Sequence, residues 1–557
     1  MRDDDVVFSI NEERLSRKKG AGGFPLLSIS EMLRGGYLNS LSELSHIYAT
    51  SIMNPPIFVR CFDVFRALEE GVRDEIDTGL LRYLSDFVHF NTSLTSSSPG
   101  TLFGRATKLF LDPVFRMKLP KGMKKAPLSF VEHHSAHAAS AFFTSGFNDA
   151  LCITADEMGD GISLSVNACS NVRIRRVWEA DDRDSFGYFY KLITEVLGFL
   201  PMRHEGKIMA LAAYGDHRRV KYPFPFVMSE DRISYTGGYG LKEVVRLRKI
   251  LLREYSKEDI ASWLQFNCQE YIKRLARKWL ASTGSGNLVL AGGFFANIKV
   301  NQELSELDEV NNIFVYPNMG DAGISHGAIL ACRCPEPARI KGLYWGNCYS
   351  DEEILDCLNK SGVDFKHYED IEPLVAQLLA EDKVIARFKG RMEWGPRALG
   401  NRSVLYNAKD ATVNSWLNKR LRRSEFMPFA PATLLEDAPD CYICRNDSIL
   451  YCAEFMTICV KCTPQMIKNN PAVVHVDGTA RPQLVRKEAN PDFYRIISEY
   501  KGLTNNNCII NTSFNMHDEP IVSTPEDAIR AFKAAGLDYL AIGNFLVENA
   551  VKRGRFP

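Results

Sequence analysis

Two successive strand–loop–helix units constrain the fold of this 557-residue chain. The first is NLVLAGGFFANIKVNQEL, which begins at residue 287, and the second is NIFVYPNMGDAGISHGAILA, which begins at residue 312. In each unit a short apolar run leads into a glycine-containing loop and then a helical pattern, which is typical of α/β proteins. In such proteins ligands collect in the loops at the carboxyl ends of the strands. The sequence therefore predicts an α/β fold with a ligand site at these loops.

The size and composition of the chain limit its class. A chain of 557 residues exceeds one hydrophobic core, and a break with Pro, Gly and aromatic residues falls at 335–350. A fresh unit then opens with Ser350 as N-cap and acids in the first turn, so we predict domains 1–345 and 346–557. Apolar content of 45%, charged content of 24% and zero net charge indicate a soluble protein and exclude a general polyanion binder. No run approaches the roughly 18 apolar residues that span a bilayer.

The N-terminus and the local patterns give further expectations. Acids precede the short apolar run VVFSI, which is the wrong order for a signal peptide, so we expect a cytoplasmic protein with reduced cysteines. VVFSI reads as a strand and NEERLSR as a polar turn. Residues 27–120 alternate helical patterns with a Ser/Thr-rich loop. DALCITAD and ISLSVNA form a hairpin around EMGDG, and helices are predicted at 185–200, at 205–214 and over most of 241–278.

Three histidines fall within six positions of EHHSAHAASAFF. His133 and His137 are four residues apart, so on a helix they share one face, which suits two nitrogens that bind one metal ion. The Ala and Ser residues beside them would let a second backbone or a ligand approach closely. The alternative is a helix N-terminus with satisfied or surface histidines.

Oxygen ligands for such an ion are available in two loops. Asp156 ends the strand LCITAD, and Asp321 lies in MGDAG between a strand and a helix. Two imidazoles and two carboxylates with vacant positions suit divalent iron, manganese or zinc, and the ion could hold a phosphate or polarise an acyl group. Taken singly, each aspartate also fits a turn or cap residue.

The second half carries a cationic constellation. GRMEWGPRALGNRS places Arg391, Arg397 and Arg402 within twelve residues, and planar guanidinium groups bind phosphate oxygens in bidentate fashion. A solvated basic loop is the alternative, but Trp394 and its apolar neighbours favour a fixed anion site. Arg481 adds a guanidinium, and polar side chains that can hold a carbonyl, an amide or a phosphate follow the strand CII: Asn511, Ser513 and Asn515.

Other polar residues have plainer interpretations. Cys441 and Cys444, with Cys459 and Cys462, form two C-x-x-C pairs near zinc-ribbon spacing, but neither pair contains the Gly or Pro of a knuckle turn. We favour buried thiols over a structural zinc. Lys419 and Arg422 lie in a helix-like basic stretch that should face solvent.

The longer motifs resemble one family. EHHSAHAASAFF, TADEMGDG, EGKIMALAAYG, LAGGFFANIKVN and GDAGISHGA are similar to blocks of the O-carbamoyltransferase family, whose members act on aminoglycoside and cephem antibiotics and on nodulation factors. GRMEWGPRALGNRSVL, PFAPA, VHVDGTARPQLV and NTSFNMHDEPIVSTPEDA extend the resemblance over most of residues 6 to 545.

The resemblance implies a two-lobed, actin- and sugar-kinase-like N-terminal domain, similar to the domain that transfers threonylcarbamoyl to tRNA. It implies a metal, usually iron(II), held by His133, His137, Asp156 and Asp321. Gly292, Gly293 and Asn297 would lie beside the nucleotide, and the loop around Gly206 and Lys207 would border the same site, with Lys207 as a catalytic candidate.

The resemblance also implies a YrdC-like C-terminal domain that binds carbamoyl phosphate and ATP and makes carbamoyl adenylate. Arg391 is the catalytic candidate there, and the remaining residues would hold the substrates: Arg397, Arg402, Arg481, Asn511, Ser513 and Asn515. The first domain would then transfer the carbamoyl group to a hydroxyl of a small natural product or glycan, with release of AMP. We expect no nucleic-acid or membrane partner and allow for a homodimer.

The chain departs from the family pattern in two places. It starts at what would be the second strand, without the first strand and its His-Asp pair. A misplaced start, a truncated paralogue, or compensation by His134 or His204 as catalytic base would each explain this. Met427 replaces a basic residue before PFAP, whereas Arg14 is kept.

Three functions follow from these patterns. The first is an ATP-dependent O-carbamoyltransferase. The second is an impaired paralogue that binds nucleotide or a partner protein. The third is a tRNA-modifying enzyme, which the zero net charge and the absence of an extended basic face in the sequence argue against. Acceptor specificity is expected in residues 27–120 and in the loops at 215–245.

Overall fold

The computed structural model describes residues 6–19, 26–50, 116–117, 119–423 and 427–549. They form two compact units. The central unit comprises the described residues of Leu38–Ile340, and the C-terminal unit comprises 6–19, Leu26–Tyr37 and 341–549. The chain changes unit at Ile340–Lys341, near the boundary predicted after residue 345. The segments before Leu38 belong to the C-terminal unit, which the predicted continuous domain 1–345 did not foresee.

The strands of the two units follow in chain order. They are β1 (Ile47–Thr50), β2 (Leu128–Val131), β3 (Asp149–Gly159), β4 (Ile162–Ser170), β5 (Arg173–Asp181), β6 (Phe226–Met228), β7 (Ile233–Tyr235), β8 (Asn287–Ala291), β9 (Asn312–Val315), β10 (Phe365–His367), β11 (Ile385–Phe388), β12 (Arg402–Asn407), β13 (Ala430–Leu434), β14 (Tyr442–Ile443), β15 (Val460–Cys462), β16 (Thr479–Ala480), β17 (Gln483–Val485), β18 (Cys508–Ser513), β19 (Tyr539–Ile542) and β20 (Phe545–Glu548).

The α-helices are numbered in the same way. They are α1 (Glu12–Ser16), α2 (Leu26–Arg34), α3 (His133–Ser145), α4 (Phe186–Val196), α5 (Glu205–Leu211), α6 (Gly240–Glu254), α7 (Lys257–Thr283), α8 (Ile298–Ser305), α9 (Ile324–Arg333), α10 (Asp351–Ser361), α11 (Glu372–Ala380), α12 (Val413–Arg420), α13 (Ala438–Cys441), α14 (Asp447–Ala453), α15 (Pro464–Asn469), α16 (Pro491–Thr504) and α17 (Pro525–Ala535).

The central unit is built on a five-stranded sheet with the order β5-β4-β3-β8-β9. β3 pairs parallel with β8, and β8 pairs parallel with β9, whereas β4 and β5 add antiparallel strands. β8 and β9 are buried almost throughout, which explains their continuous apolar runs. Because β3, β8 and β9 run in one direction, the loops after them meet at one edge of the sheet, as the sequence predicts.

Helices α3 and α9 pack together at a very short separation. A Cβ on Gly327 of α9 would lie 1.9 Å from the backbone oxygen of Ala136 and 3.1 Å from Cβ of Ser140 on α3. The alanines of α3 are fully buried. The small residues of EHHSAHAASAFF therefore admit a second backbone, and that backbone is α9, the helix that follows the loop with Asp321.

The C-terminal unit contains an eight-stranded mixed sheet with the order β10-β20-β19-β11-β12-β18-β13-β17. Helices α11 and α16 pack on it through a core that includes Val375, Leu405 and Phe493. A separate three-stranded sheet has the order β14-β15-β16. Helix α10 opens with the predicted N-cap, since Ser350 and Glu353 form a reciprocal capping box.

Several local predictions differ from the structure. Residues 6–10 form no strand, and the predicted polar turn after them is helix α1, which begins at Glu12. The helical stretch 241–278 is two helices, because the chain leaves α6 at Tyr255 and Ser256 caps α7. Most of the predicted specificity region 27–120 lies outside the described residues. None of the described helices is long and apolar enough to cross a membrane.

The contact between α3 and α9 predicts a stability effect. Gly327→Ala should lower the free energy of unfolding by about 1–3 kcal/mol, because the new Cβ overpacks against the Ala136 carbonyl and forces the helices apart. Urea unfolding followed by circular dichroism measures the change. Ser325→Ala on the exposed face of the same helix is the control and should stay within about 0.5 kcal/mol. An unchanged midpoint for Gly327→Ala would contradict the tight packing.

Candidate functional site

Four side chains of the central unit converge at the edge of its sheet: His133, His137, Asp156 and Asp321. The two imidazole Nε2 atoms lie 3.1 Å apart. His137 Nε2 is 3.2 Å from Asp156 Oδ2 and 3.8 Å from Asp321 Oδ1, and His133 Nε2 is 3.7 Å and 3.5 Å from the same atoms. The structure thus brings together all four residues that the sequence predicts as metal ligands.

The spacing of the four ligand atoms fits a metal ion. Ligand atoms about 2.1 Å from one ion, at tetrahedral or octahedral angles, lie about 3.0–3.4 Å from one another. The pair distances in the cluster fall in or just above that range. Both imidazoles are buried, whereas the Asp321 side chain is 60% exposed, so the cluster opens to solvent on one side. Two nitrogens and two carboxylate oxygens suit iron, manganese or zinc.

The electrostatics of the cluster show that it favours positive charge. Burial alone would lower the pKa of His133, but the hydrogen bond to Asp156 and the charges of Asp321 and Asp156 raise it to about 9. Burial would raise the pKa of Asp156, but the hydrogen bonds from His133 and His137 hold it well below its usual value. A divalent cation would supply the same compensation to these carboxylates.

The backbone around Asp156 fixes its side chain. The β3–β4 register shifts between Ala155 and Gly159, which aims the Asp156 carboxylate away from the ladder. Gly292 adopts φ 102°, and a Cβ there would meet the Ala155 oxygen at 2.0 Å. The N–H of Gly293 donates to Asp156 Oδ2 at 3.2 Å. The predicted pair Gly292–Gly293 therefore holds a carboxylate of the cluster.

The start of α3 is held by residues that the sequence analysis missed. Glu132 is the N-cap and accepts from the N–H groups of His134 and Ser135. Arg176 of β5 donates to Glu132 Oε2 at 2.6 Å, and although burial opposes it, this charge lowers the pKa of Glu132 to about 2. Asp160 accepts from the His133 N–H at 2.9 Å. Only an acid at the N-cap position, a signal weaker than Ser or Thr, could have indicated Glu132.

His134, predicted as a compensating catalytic base, belongs to the hairpin. Its Nε2 lies 2.9 Å from the Ile162 carbonyl, which can only accept, so Nε2 carries the proton. Its Nδ1 accepts from the Thr154 hydroxyl at 2.6 Å, and Ser165 supports that hydroxyl at 2.7 Å. Burial, and after it the charge of His133, lower the pKa of His134 to about 3. Both ring nitrogens are occupied, so the structure assigns His134 a packing role and not a catalytic one.

The other predicted residues of the central unit lie on neighbouring helices. Lys207 is buried on α5 with Nζ 3.2 Å from His204 Nε2, and Gly206 is exposed beside it. Asn297 caps α8 and exchanges two hydrogen bonds with Gln265, at 2.8 Å and 3.1 Å. Its amide is therefore engaged within the protein.

Two of the predicted arginines of the C-terminal unit hold its own backbone. Arg391 donates to the carbonyls of Val7, Trp345 and Gly346, and its guanidinium lies over the ring of Tyr37. Arg402 is fully buried, donates to backbone carbonyls and stacks 3.7 Å from the centre of the Phe388 ring. Burial lowers the pKa of Arg402 to about 10. Arg391 and Arg402 therefore hold the backbone of the unit, and ligand contacts from them stay a prediction.

Arg397 and Arg481 differ from these two. Within the described residues neither guanidinium forms a hydrogen bond or an ion pair, and the Nε atom of each is buried. Arg402 also has a buried Nε without a partner, but its other nitrogens donate to carbonyls. Burial lowers the pKa of Arg397 well below its usual value, and the charge of Arg481 lowers it further. Burial also lowers the pKa of Arg481. Two neighbouring cations without a carboxylate form a site for an anion.

The three predicted polar residues at the end of β18 and just after it also fall into two groups. Asn511 is buried and donates to Ala398 and Gln483, while its Oδ1 has no partner. Ala398 adjoins Arg397, so Asn511 lies beside the cationic pair. Ser513 and Asn515 instead accept from Arg423, at 3.1 Å and 2.8 Å, so they hold a side chain that the sequence analysis passed over.

The remaining predictions concern thiols and solvent-facing cations. Cys441, Cys459 and Cys462 are buried, Cys444 is partly exposed, and none is in a disulfide. Burial raises the pKa of Cys441 and Cys462 to about 12 and that of Cys444 to about 11. Lys419 and Arg422 are exposed, as expected. We refer below to Arg397, Arg481 and Asn511 as the anion pocket.

Comparisons with known proteins agree with these motifs. A protein of Methanocaldococcus jannaschii without an assigned activity is 31% identical over 98% of this chain and 96% of its own. Nodulation protein NolNO of Sinorhizobium fredii is 29% identical over 98% of this chain and 78% of its own. The 3'-hydroxymethylcephem-O-carbamoyltransferase of Amycolatopsis lactamdurans is 26% identical over 62% of this chain and 65% of its own.

Two family descriptions cover most of the sequence. "Carbamoyltransferase N-terminus" matches residues 1–331, which include the four-residue cluster, and "Carbamoyltransferase C-terminus" matches residues 376–549, which include the anion pocket. Together with the relatives above, they assign the chain. It belongs to the carbamoyltransferase family.

Proposed function

We propose that this carbamoyltransferase is ATP-dependent and transfers a carbamoyl group to a hydroxyl of a small natural product or glycan. The C-terminal unit would activate the carbamoyl group, and the central unit would transfer it. The observation that carries the proposal is the pair Arg397 and Arg481, two partly exposed guanidinium groups with buried Nε atoms and no acidic partner within the described residues. Such a pair favours a ligand that brings several negative charges, as carbamoyl phosphate and ATP do.

The activation step needs an anion site because carbamate is a poor electrophile until its oxygen becomes part of a good leaving group. Water first releases phosphate from carbamoyl phosphate and leaves carbamate. A carbamate oxygen then attacks the α-phosphorus of ATP, which forms carbamoyl adenylate and expels pyrophosphate. Arg397 and Arg481 would hold the phosphate oxygens and stabilise the charge that develops on the leaving groups. Asn511, with its unpartnered Oδ1, would accept from the carbamoyl NH₂.

The transfer step would use the cluster of the central unit. His133, His137, Asp156 and Asp321 would hold a divalent ion, iron(II) by family resemblance, whose charge would bind phosphate and withdraw electrons from it. The acceptor hydroxyl attacks the carbamoyl carbon, AMP leaves, and the hydroxyl proton passes to a base. The exposed Asp321 side chain marks the side of the cluster that faces solvent, from which substrate can approach.

The proposal predicts a defined stoichiometry. Purified protein supplied with iron(II), ATP and carbamoyl phosphate should release pyrophosphate only when carbamoyl phosphate is present. With a suitable acceptor it should also form AMP and a product heavier by one carbamoyl group. A pyrophosphate assay and mass spectrometry of the products from a panel of hydroxylated antibiotics and sugars measure these outcomes. Nucleotide binding without any turnover would instead favour the impaired paralogue.

The anion pocket predicts a binding defect. Arg481→Met removes one of two cations that share a phosphate, and because a charge-assisted hydrogen bond contributes about 1.5–3 kcal/mol, affinity for ATP or carbamoyl phosphate should fall about 10- to 100-fold. Isothermal titration calorimetry measures it. Arg422→Met, which changes an exposed arginine of the same unit, is the matched control and should bind as the wild type does. Equal affinities for the two variants would place the substrates elsewhere.

The cluster predicts a metal defect. His137→Ala removes one of two buried imidazoles, and loss of a ligand should weaken metal binding by more than the roughly 10- to 100-fold seen when a ligand's supporting partner is lost. Metal analysis after dialysis against iron(II), or cobalt(II) as a spectroscopic substitute, gives the stoichiometry. His217→Ala, at a partly exposed histidine stacked on Phe266, should retain the metal of the wild type. Retention of metal by His137→Ala would show that the metal binds at another place.

A further inference from the structure

We propose that Arg14 is a positioning residue for the anion pocket: its guanidinium holds the turn at Gly395, and that turn sets where Arg397 meets the anion. This role rests on the function proposed above, because it concerns the same pocket. It gives residues 6–17, which fall in the predicted domain 1–345, a part in the activation of the substrate.

The N-terminal segment 6–17 is fixed on the C-terminal unit on both sides of Arg14. Before it, the N–H of Ser9 donates to the Trp345 carbonyl at 3.0 Å. After it, Arg17 donates to the Ile521 carbonyl at 2.7 Å. Helix α1 lies between these two attachments, so its side chains have defined positions relative to the unit.

Arg14 of α1 reaches the arginine loop, which we define as residues 389–401 between β11 and β12. Its side chain is only 3% exposed, and Nη2 donates to the Gly395 carbonyl at 2.7 Å. Gly395 adopts φ 120°, a conformation that favours glycine. The peptide that carries this carbonyl is planar, and the ring of Pro396 fixes the next φ angle. Only the ψ angle of Pro396 then separates the held peptide from that of Arg397.

Different residues hold the backbone on the other side of Arg397. The Ala398 carbonyl accepts from Nδ2 of Asn511 at 3.2 Å. The Ala398 side chain is buried among apolar groups, against which Ile10 of the N-terminal segment packs. Arg397 therefore lies between two carbonyls that side chains hold. Asn511, a member of the anion pocket, holds one of them, and Arg14 holds the other.

The environment of Arg14 indicates that the hydrogen bond to Gly395 is its main contribution. Burial lowers the pKa of Arg14, and the charges of Glu13 and Glu393 offset only part of that effect. Its Nε and Nη1 atoms have no hydrogen-bond partner within the described residues. A well-packed apolar side chain often stabilises such a buried position as well as a charge does. What an apolar side chain cannot supply is the donor to the Gly395 carbonyl.

A double-mutant cycle on the full chain tests this role, with inorganic pyrophosphate as the ligand and isothermal titration calorimetry as the measurement. Arg14→Met should weaken pyrophosphate binding about tenfold, within the range of couplings between residues of one network. In the Arg397→Met background the same change should cost less than about twofold, because the residue that Arg14 positions is gone. In the Arg481→Met background it should keep its full effect, because Arg481 lies outside the arginine loop. A purely structural role would give the same loss in every background.

Two further variants separate the hydrogen bond from effects on folding, which circular dichroism monitors. Arg17→Met changes an arginine next to the same helix that donates to Ile521 and not to the arginine loop, so its affinity should stay within about twofold of wild type. Arg14→Lys keeps the charge and a donor, so it should bind pyrophosphate at least about threefold more tightly than Arg14→Met. If Arg14→Met does not fold, Arg14→Lys in the same backgrounds should show the same pattern with smaller losses.

The outcomes distinguish this role from the proposed function. Equal losses in all three backgrounds, no loss in any, or an equal loss from Arg17→Met would overturn the role of Arg14. Wild-type affinity in Arg397→Met would reject both the anion pocket and the role. The expected coupling in a protein that consumes no ATP would reject the proposed function and leave Arg14 as a positioning residue. Turnover without the coupling would do the reverse.

Discussion

The close approach of α3 and α9 is the constraint on which the central unit depends. Gly327 leaves no side chain between its helix and the Ala136 carbonyl, and the alanines of α3 add only methyl groups on the other side. At an ordinary interhelical separation of about 8–10 Å, the loop before α9 would carry Asp321 away from the histidines. The parallel strands β3 and β8 supply the other half of the arrangement, because Gly292 can approach Ala155 where no other residue fits. The cluster is thus a consequence of backbone proximity at two places.

The charged groups of the two units are arranged in opposite ways. In the central unit, buried imidazoles and carboxylates attract one another, and the pKa of His133 rises because acids surround it. In the C-terminal unit no acid pairs with Arg397 or Arg481, so burial lowers the pKa of each, and the charge of Arg481 lowers that of Arg397 further. A buried cation without a partner is costly to a folded protein. An anionic ligand would remove that cost, because it would supply the negative charge that no acidic side chain supplies to the pocket within the described residues.

Spacing and residue type predict the four-residue cluster but do not predict the role of His134. His133 and His137 share a helical face by periodicity alone, and the apolar runs predict the strands β3, which contains Asp156, and β9, which precedes the loop with Asp321. His134 is adjacent in sequence but points to Thr154 and Ile162, and only the position of the β3–β4 hairpin decides this. Likewise GRMEWGPRALGNRS predicts a cationic loop, but which of its arginines bind backbone depends on the carbonyls that lie nearby in the fold. Arg391 donates to the carbonyl of Val7, and no sequence pattern predicts a contact between residues so far apart in the chain.

The same reasoning explains why residue type is a poor guide to the roles of arginine and cysteine in this chain. Four arginines of the C-terminal unit differ in their acceptors. Arg391 and Arg402 donate to carbonyls and Arg423 donates to Ser513 and Asn515, whereas Arg397 has no acceptor within the described residues. The thiols of the small sheet differ in the same sense, since Cys462 lies near Asp477 and Cys459 near Arg481. A side chain whose hydrogen bonds are complete stabilises the fold. Side chains that keep unused hydrogen-bond donors or acceptors remain available for ligands. In the C-terminal unit the candidates are Arg397, Arg481 and Asn511.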